Sequence, residues 1–279
     1  MTTAIHEHVA KYKSVYDEHG WFRFPYRFTG DSVALLRERV ASISAQSRPE
    51  VVHEKGGNAV RAIHGCHDFD EACAALVHCS ALVSLATALI GAPAAYVYQF
   101  KVNLKPAREG AAWPWHQDFA FWSEEDGMPR PDAVNIAISL DEMHEGNGPM
   151  ILIPGTHRLG LFDLPPKKSH GSEEDWRSHV AADLAYTVNA DRAETLARKH
   201  GKRLVLGRTG SIHVFHPSII HSSSDNLSAD GRALLLITYN AVGNAPTRTT
   251  RPSFLVSRNC DPLVPVDDER FRLEPDTLD

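Results

Sequence analysis

The chain has 279 residues, 29 Lys and Arg against 35 Asp and Glu, and a net charge of −6. That length can bury a sizeable core in one domain, and without a long basic run neither nucleic acid nor an anionic membrane surface is an expected partner. Cys66, Cys73, Cys79 and Cys260 show neither zinc-site spacing nor the density of a secreted disulfide scaffold, and there is no signal-like N-terminus and no apolar run of ~18 residues, so the expectation is a cytoplasmic chain with reduced thiols.

Ile5, Val9, Tyr12 and Tyr16 recur at helical spacing ahead of Gly20, which predicts an opening amphipathic helix with a glycine C-cap. Residues 21–24 read as a short strand stopped by Pro25. Asp31 is placed to cap a second helix whose stripe is Val33, Leu36, Val40 and Ile43. Both helices are expected to pack outside a sheet. Polarity rises over residues 48–57 and Gly56-Gly57 breaks periodicity, which predicts a flexible loop. Residues 59–67 read as an extended segment near the functional site, because Arg and His alternate there with small apolar residues. Helices follow over 70–78 and 80–90, the second ending at Gly91.

Beyond Pro93 the character changes to strands, over 96–104, 133–140, 150–153, 203–206, 211–215 and 233–239. These segments are short and β-rich, with Gly, Pro and Asn between them, as in a jelly roll or sandwich. Residues 161–202 are polar, with helical stretches around 174–176 and 190–200, and so long an insertion between strands reads as a lid. The acidic, Pro-containing tail after Asp261 is expected to lie on the surface or fray. The whole is read as a single domain over 1–279, with a mostly helical flank (1–92), a β core (93–245) carrying the 161–202 insertion, and a tail (246–279).

Chemistry concentrates in residues 113–122, Trp-Pro-Trp-His-Gln-Asp-Phe-Ala-Phe-Trp. On a β-strand His116 and Asp118 share one face, with Gln117 on the other. That supplies two thirds of a 2-His-1-carboxylate facial triad, which leaves half of an iron coordination sphere open. With sixteen histidines in the chain, about one His-X-Asp triplet is expected by chance. The second half of the pattern removes the coincidence: His221 is followed eleven positions on (221 to 232) by Arg232, which opens the apolar run 233–239. His221 completes a metal site, and Arg232 offers a bidentate fork to a carboxylate. A buried cation there is costly unless paired, and a three-ligand zinc site has no use for it.

In these residues the chain resembles the phytanoyl-CoA dioxygenase (PhyH) family of Fe(II)/2-oxoglutarate-dependent oxygenases. The matching blocks are residues 98–105 (Tyr-Gln-Phe-Lys-Val-Asn-Leu-Lys), 116–129, Asn147-Gly-Pro with 153–157 (Ile-Pro-Gly-Thr-His), 221–232, and 238–246, which together span most of 60–260. Within the family it is most similar to bacterial hydroxylases of small amino-acid-like substrates, such as ectoine hydroxylase and leucine 5-hydroxylase. The resemblance implies a mainly β protein with flanking α-helices, a double-stranded β-helix of the cupin-like jelly-roll type. It implies Fe(II) on His116, Asp118 and His221, with 2-oxoglutarate and O2 as co-substrates. Arg232 would anchor the distal carboxylate of 2-oxoglutarate, touched also by Lys105 and Ser223, and Gln99 would meet the substrate. Asp118 separates the chain from related halogenases, which carry a small residue there.

Phe119, Phe121 and Trp122 follow directly on the ligands and are expected to line the cavity mouth. Arg61 is a candidate for a substrate carboxylate. His64, His67, His144, His157, His213 and His216 lack partner spacing and read as structural or solvated. Leu234 stands where ectoine hydroxylases carry a substrate-contacting Asn, which argues against ectoine and for a substrate with a hydrocarbon portion. The implied activity is hydroxylation of an unactivated C–H bond of a small amino acid or derivative, with release of succinate and CO2. The alternatives are an oxygenase of a larger natural-product intermediate and a non-redox metal-binding jelly-roll module; only the second has no use for Arg232.

Overall fold

The computed structural model describes residues 2–55, 57–163, 176, 180, 184–248 and 250–277. Helix α1 (Thr2–His19) ends at Gly20 in the left-handed region, φ 75°. A Cβ there would lie 2.4 Å from His157 Nδ1, so the turn needs glycine for space as well as for φ. The predicted stripe is visible from Tyr12 and Tyr16 onward; the side chains of Ile5 and Val9 lie outside the described residues. Strand β1 (Trp21–Phe28) runs through Pro25 instead of stopping at it. Its ladder to β9 (Ser211–Phe215) shifts register between Arg23 and Arg27, so the missing N–H falls at an irregularity where no bond is required.

The cap of α2 (Gly30–Ser44) is Thr29, not Asp31, which instead lies in the first turn, where its charge meets the positive end of the helix dipole. The stripe Val33, Leu36, Val40 and Ile43 is buried as expected. The predicted loop over 48–57 contains β2 (Val51–His53), paired antiparallel with β3 (Val60–His64). Two adjacent valines with a partner strand outweigh the polar composition around them. Helix α3 (Glu71–Val77) is capped by Asp70, which accepts from the backbone of Ala72 and Cys73, and α4 (Ser80–Ile90) ends at Gly91.

The remaining elements are β4 (Ala95–Lys105), β5 (Trp113–His116), α5 (Asp118–Glu124), β6 (Ala133–Ser139), β7 (Met150–Ile153), α6 (Ala190–His200), β8 (Arg203–Leu204), β10 (Ile220–Ser223), β11 (Arg232–Ala241) and β12 (Leu273–Pro275). They form two antiparallel sheets, in the orders β12-β1-β9-β6-β11-β4-β3-β2 and β5-β10-β7-β8. This is the expected mainly β jelly roll. Alternation assigns the two faces of the large sheet. Val134, Ile136 and Ile138 of β6 and Leu235 and Ile237 of β11 join the core built with the helices. Ala137, Leu234 and Leu236 point the other way and pack with Met150, Leu152 and Phe215 between the sheets.

Helix α6 matches its predicted span and is capped by Asn189. The other predicted helical stretch, around 174–176, lies outside the described residues except for Trp176, which is buried with its ring centroid 5.2 Å from Phe254. Among the described residues no helix is long and apolar enough to cross a membrane.

The tail is not frayed. Phe271 and Leu273 are buried, β12 pairs with the outer edge of β1, and Asp276 forms an ion pair with Arg23. Two apolar residues in a polar tail are too short a pattern to read as a strand; the groove they fill exists only once β1 is in place. Phe271 meets Phe28 edge-on, centroids 6.3 Å apart. Phe271→Ala is therefore expected to cost about 3–5 kcal/mol in chemical denaturation. A loss below about 1 kcal/mol would return the tail to the surface.

Candidate active site

Strands β5 and β10 are antiparallel neighbours with His116 directly opposite His221, so the two imidazoles emerge side by side, ring centroids 4.1 Å apart. The chain leaves β5 at Gln117, and Asp118 is the first residue of α5, not the third of a strand pair as expected. The shared face survives because Gln117 keeps extended backbone angles (φ −126°, ψ 123°). Its own side chain points away and donates to the carbonyls of Gly160 and Ser218. Asp118 lies 3.8 Å from His116 Nε2 and 4.0 Å from His221 Nε2, and the three donor atoms fall within 4.8 Å of one another, all buried.

The groups behind these atoms aim them. His116 Nδ1 is 2.7 Å from the Pro114 carbonyl and His221 Nδ1 is 3.1 Å from the Ile219 carbonyl. A carbonyl only accepts, so both Nδ1 atoms carry the proton and both Nε2 lone pairs face the centre. Asp118 accepts from Asn135 Nδ2 at 2.9 Å and from Lys101 Nζ at 3.4 Å, and Asn135 is fixed in turn by Thr238 Oγ1 at 2.6 Å. Burial, with His221 alongside, holds His116 down to about 3. His221 is lowered chiefly by burial as well. Burial pushes the Asp118 carboxyl upward, but Lys101 and the two imidazoles overrule it and bring it to about 2. At neutral pH the centre offers two neutral nitrogens and one carboxylate, a donor set that fits a divalent ion such as Fe(II).

A second polar cluster lies where β4 ends and β11 begins, with Lys105 opposite Arg232 in the ladder. Both are buried, and among the described residues neither forms an ion pair. Arg232 donates through Nη2 to the Gly148 carbonyl and Lys105 to that of Ser224, while Arg232 Nε and Ser223 Oγ are buried without partners among the described residues. Burial, reinforced by Arg232, pulls Lys105 down to about 7. Burial also lowers Arg232, to about 10, with Asp141 opposing. Gly148 closes this corner at φ 71°; a Cβ there would sit 2.7 Å from the Ser224 carbonyl. Two desolvated cations side by side are unfavourable alone and suit a ligand with two negative charges.

Between the clusters runs a cavity walled by alternate residues of β4 (Gln99, Lys101, Asn103) and of β11 (Arg232, Leu234, Leu236), with Phe121, Trp122, Val180 and Leu184 on other sides. Gln99 is there, although its amide donates to the Leu255 carbonyl at 2.6 Å. Two expectations fail. Phe119 is buried among Tyr98, Phe121 and Trp122 behind the wall and does not line the cavity, because the helical turn at Asp118 rotates it away. Arg61 is also off the cavity: it pairs with Glu54 at 3.1 Å, donates to the carbonyls of Val180 and Ala112, and lies 3.8 Å over the Trp113 ring. One charge satisfied by a carboxylate, several carbonyls and a ring has nothing left for a substrate.

Other residues at the site were missed. Lys101 and Asn135 hold Asp118, and the alternation Gln99, Lys101, Asn103, Lys105 was the signal for Lys101. Arg251, clamped to Asp126, reaches the cavity from the segment after β11, and nothing local in the sequence marks it. His64, read as structural or solvated, faces the cavity.

Fold and site together define a class: a double-stranded β-helix with a His-X-Asp…His cluster and a buried arginine is the architecture of a 2-oxoglutarate-dependent oxygenase. Residues 16–234 match the model of phytanoyl-CoA dioxygenase (PhyH), and the chain belongs to that family. It is 54% identical over 256 residues to an L-proline trans-4-hydroxylase of Streptomyces griseoviridis, covering 92% of this chain and 95% of that one. An ectoine dioxygenase of Streptomyces avermitilis is 29% identical over 261 residues, covering 89% and 85%. Among solved structures, EctD from S. alaskensis with 2-oxoglutarate and 5-hydroxyectoine superposes with a TM-score of 0.77 at 27% identity, over 92% of this chain and 86% of that one.

Removing the amide that orients Asp118 tests the donor set directly. Asn135→Ala is expected to weaken Co(II) binding, followed by calorimetry, roughly 10- to 100-fold. Unchanged affinity would mean that Asp118 needs no such support.

Proposed function

We propose that this protein is an Fe(II)- and 2-oxoglutarate-dependent dioxygenase that hydroxylates an unactivated C–H bond of a free amino acid, L-proline in the first instance. The balance is one amino acid, one O2 and one 2-oxoglutarate giving the hydroxylated amino acid, succinate and CO2. The reading rests above all on one observation: a neutral-His, ionised-Asp donor set shares a cavity with buried Arg232, whose ladder neighbour Lys105 is buried too, and among the described residues neither cation has an ion-pair partner. A metal-binding module without redox chemistry would bear the cost of burying Arg232 and Lys105 for no return. The 54% identity to an L-proline trans-4-hydroxylase supports the substrate.

In this reading His116 and His221 give Nε2 lone pairs and Asp118 a carboxylate oxygen to the iron. Bound Fe(II) and 2-oxoglutarate activate dioxygen, and the hard chemistry is theirs. Arg232 donates to the distal carboxylate of 2-oxoglutarate, with Lys105 adding charge and Ser223 a hydroxyl donor. Leu234, Leu236, Phe121 and Trp122 give the cavity apolar walls that exclude water and present an aliphatic carbon to the metal. Val180 and Leu184 bring the 161–202 segment onto the cavity, consistent with a lid. The partner is a small molecule, and a cytoplasmic setting fits four cysteines none of which is in a disulfide.

Succinate formation that depends on L-proline, Fe(II) and O2, with hydroxyproline identified by mass, is the expected result. If L-proline is inert and only a large acyl or polyketide substrate drives turnover, the amino-acid reading is wrong although the oxygenase reading stands. Arg232→Ala is expected to leave Co(II) binding intact and to raise KM for 2-oxoglutarate roughly 10- to 100-fold, the worth of a charge-assisted contact. Equal 2-oxoglutarate dependence in variant and wild type would remove Arg232 from the co-substrate site.

A further inference from the structure

His64 ends β3 opposite Lys101, four residues along β4 from the Lys105–Arg232 pair. At the rise of a strand that is ~13 Å, so His64 stands level with Lys101, remote along the sheet from the two buried cations. Its position is built. Gly65 follows it at φ 62°, and a Cβ on Gly65 would lie 2.8 Å from Phe254 Cβ, so the turn packs against the segment that carries Arg251 and Leu255. The imidazole is buried and lines the cavity, and its Nε2 has no hydrogen-bond partner among the described residues.

The other polar side chains on this part of the wall are already engaged. Arg251 Nε donates to Asp126 at 2.8 Å, Lys101 to Asp118 at 3.4 Å, and Gln99 to the Leu255 carbonyl. Burial, then the charges of Lys101 and Arg251, hold His64 down to about 3, so the ring is neutral at physiological pH and carries one N–H and one lone pair. A neutral ring donating its N–H suits an anionic acceptor, and Lys101 and Arg251, although each is paired with a carboxylate, make this wall a poor place for an ammonium group. A buried imidazole left unpartnered there is costly until an anion accepts its N–H.

We propose that His64 is a specificity-determining residue whose imidazole N–H donates to the carboxylate of the amino-acid substrate, on the part of the cavity wall remote along the sheet from Arg232. This rests on the amino-acid hydroxylase reading above. It explains why this part of the cavity wall keeps a buried polar ring with a nitrogen unpartnered among the described residues, and it makes the enzyme prefer an acid over the corresponding amide.

The test compares L-proline with L-prolinamide in the full-length enzyme loaded with Fe(II) and 2-oxoglutarate. His64→Phe keeps the ring and removes the donor. It is expected to raise KM for L-proline about 10- to 100-fold, with a much smaller change in kcat, and to bring the acid-to-amide ratio of kcat/KM towards one. His64→Asn, which restores a donor, is expected to recover part of that ratio. Under argon, the visible absorption of the Fe(II)–2-oxoglutarate protein should be the same in His64→Phe as in the wild type, while its perturbation by L-proline should need a higher proline concentration. If His64→Phe does not fold, His64→Leu decides by the same ratio. An unchanged ratio overturns the proposal, as does a weakened absorption before proline is added, which would make His64 a structural prop. If the wild type forms no succinate with L-proline or with any other free amino acid, the amino-acid reading itself has failed, and this inference falls with it.

Discussion

The antiparallel register of β5 against β10, with His116 opposite His221, is the constraint on which the rest of the site depends. Side chains alternate faces along a strand, so a slip of one residue would turn His221 out of the cavity and leave a single imidazole. The register is held from both sides. Strand β7 pairs with β10 over Ile220 to Ser223, and the carbonyls of Pro114 and Ile219 fix each ring from behind. The large sheet then needs to deliver only Asn135 and Lys101 to Asp118 for the third donor to meet the other two.

This arrangement is a set of electrostatic compromises. Lys105 and Arg232 share a ladder position and bury two like charges, and four histidines, His64, His116, His213 and His216, are so enclosed that each is held down to about 3. Such groups lower the stability of the free protein: the unfolded chain solvates them all, and as pH falls below about 6.5 it also protonates the histidines that the fold keeps neutral. The large helix-backed core, fed by Leu36, Ile63, Phe100 and Ile237, stabilises the scaffold that tolerates them. Stability resides on one face of the large sheet and chemistry on the other, and alternation along β4, β6 and β11 keeps them apart.

Two of the failed expectations have one cause. Asp31 reads as a cap and Arg61 as a substrate ligand because each is the right residue type at the right local position. Which partner a charge finds depends on elements distant in the chain. Arg61 is captured by Glu54 on the β2–β3 hairpin and by the backbone before β5, and Thr29 precedes Asp31 at the point where the helix begins. The expectation for Phe119 rests on its adjacency to the ligands alone, whereas the backbone turns helical at Asp118 and the period changes from two to 3.6.

By itself the sequence determined the architecture class, the three metal-donor candidates and the arginine. Strand alternation, the punctuation by Gly and Pro, and the spacing of His116, Asp118, His221 and Arg232 are local patterns, and local patterns need no partner to be read. The helix stripe of α2 and the glycine C-cap of α4 were legible for the same reason. Only the tertiary structure decided which polar groups face the cavity and which are already engaged. Arg251, Asn135 and His64 come from three strands or loops far apart in the chain, and their roles depend on whether Asp126, Asp118 or none of the described residues lies within hydrogen-bond reach. That is a property of packing: the same residue types, placed against other neighbours, would be ordinary ion pairs and buried amides.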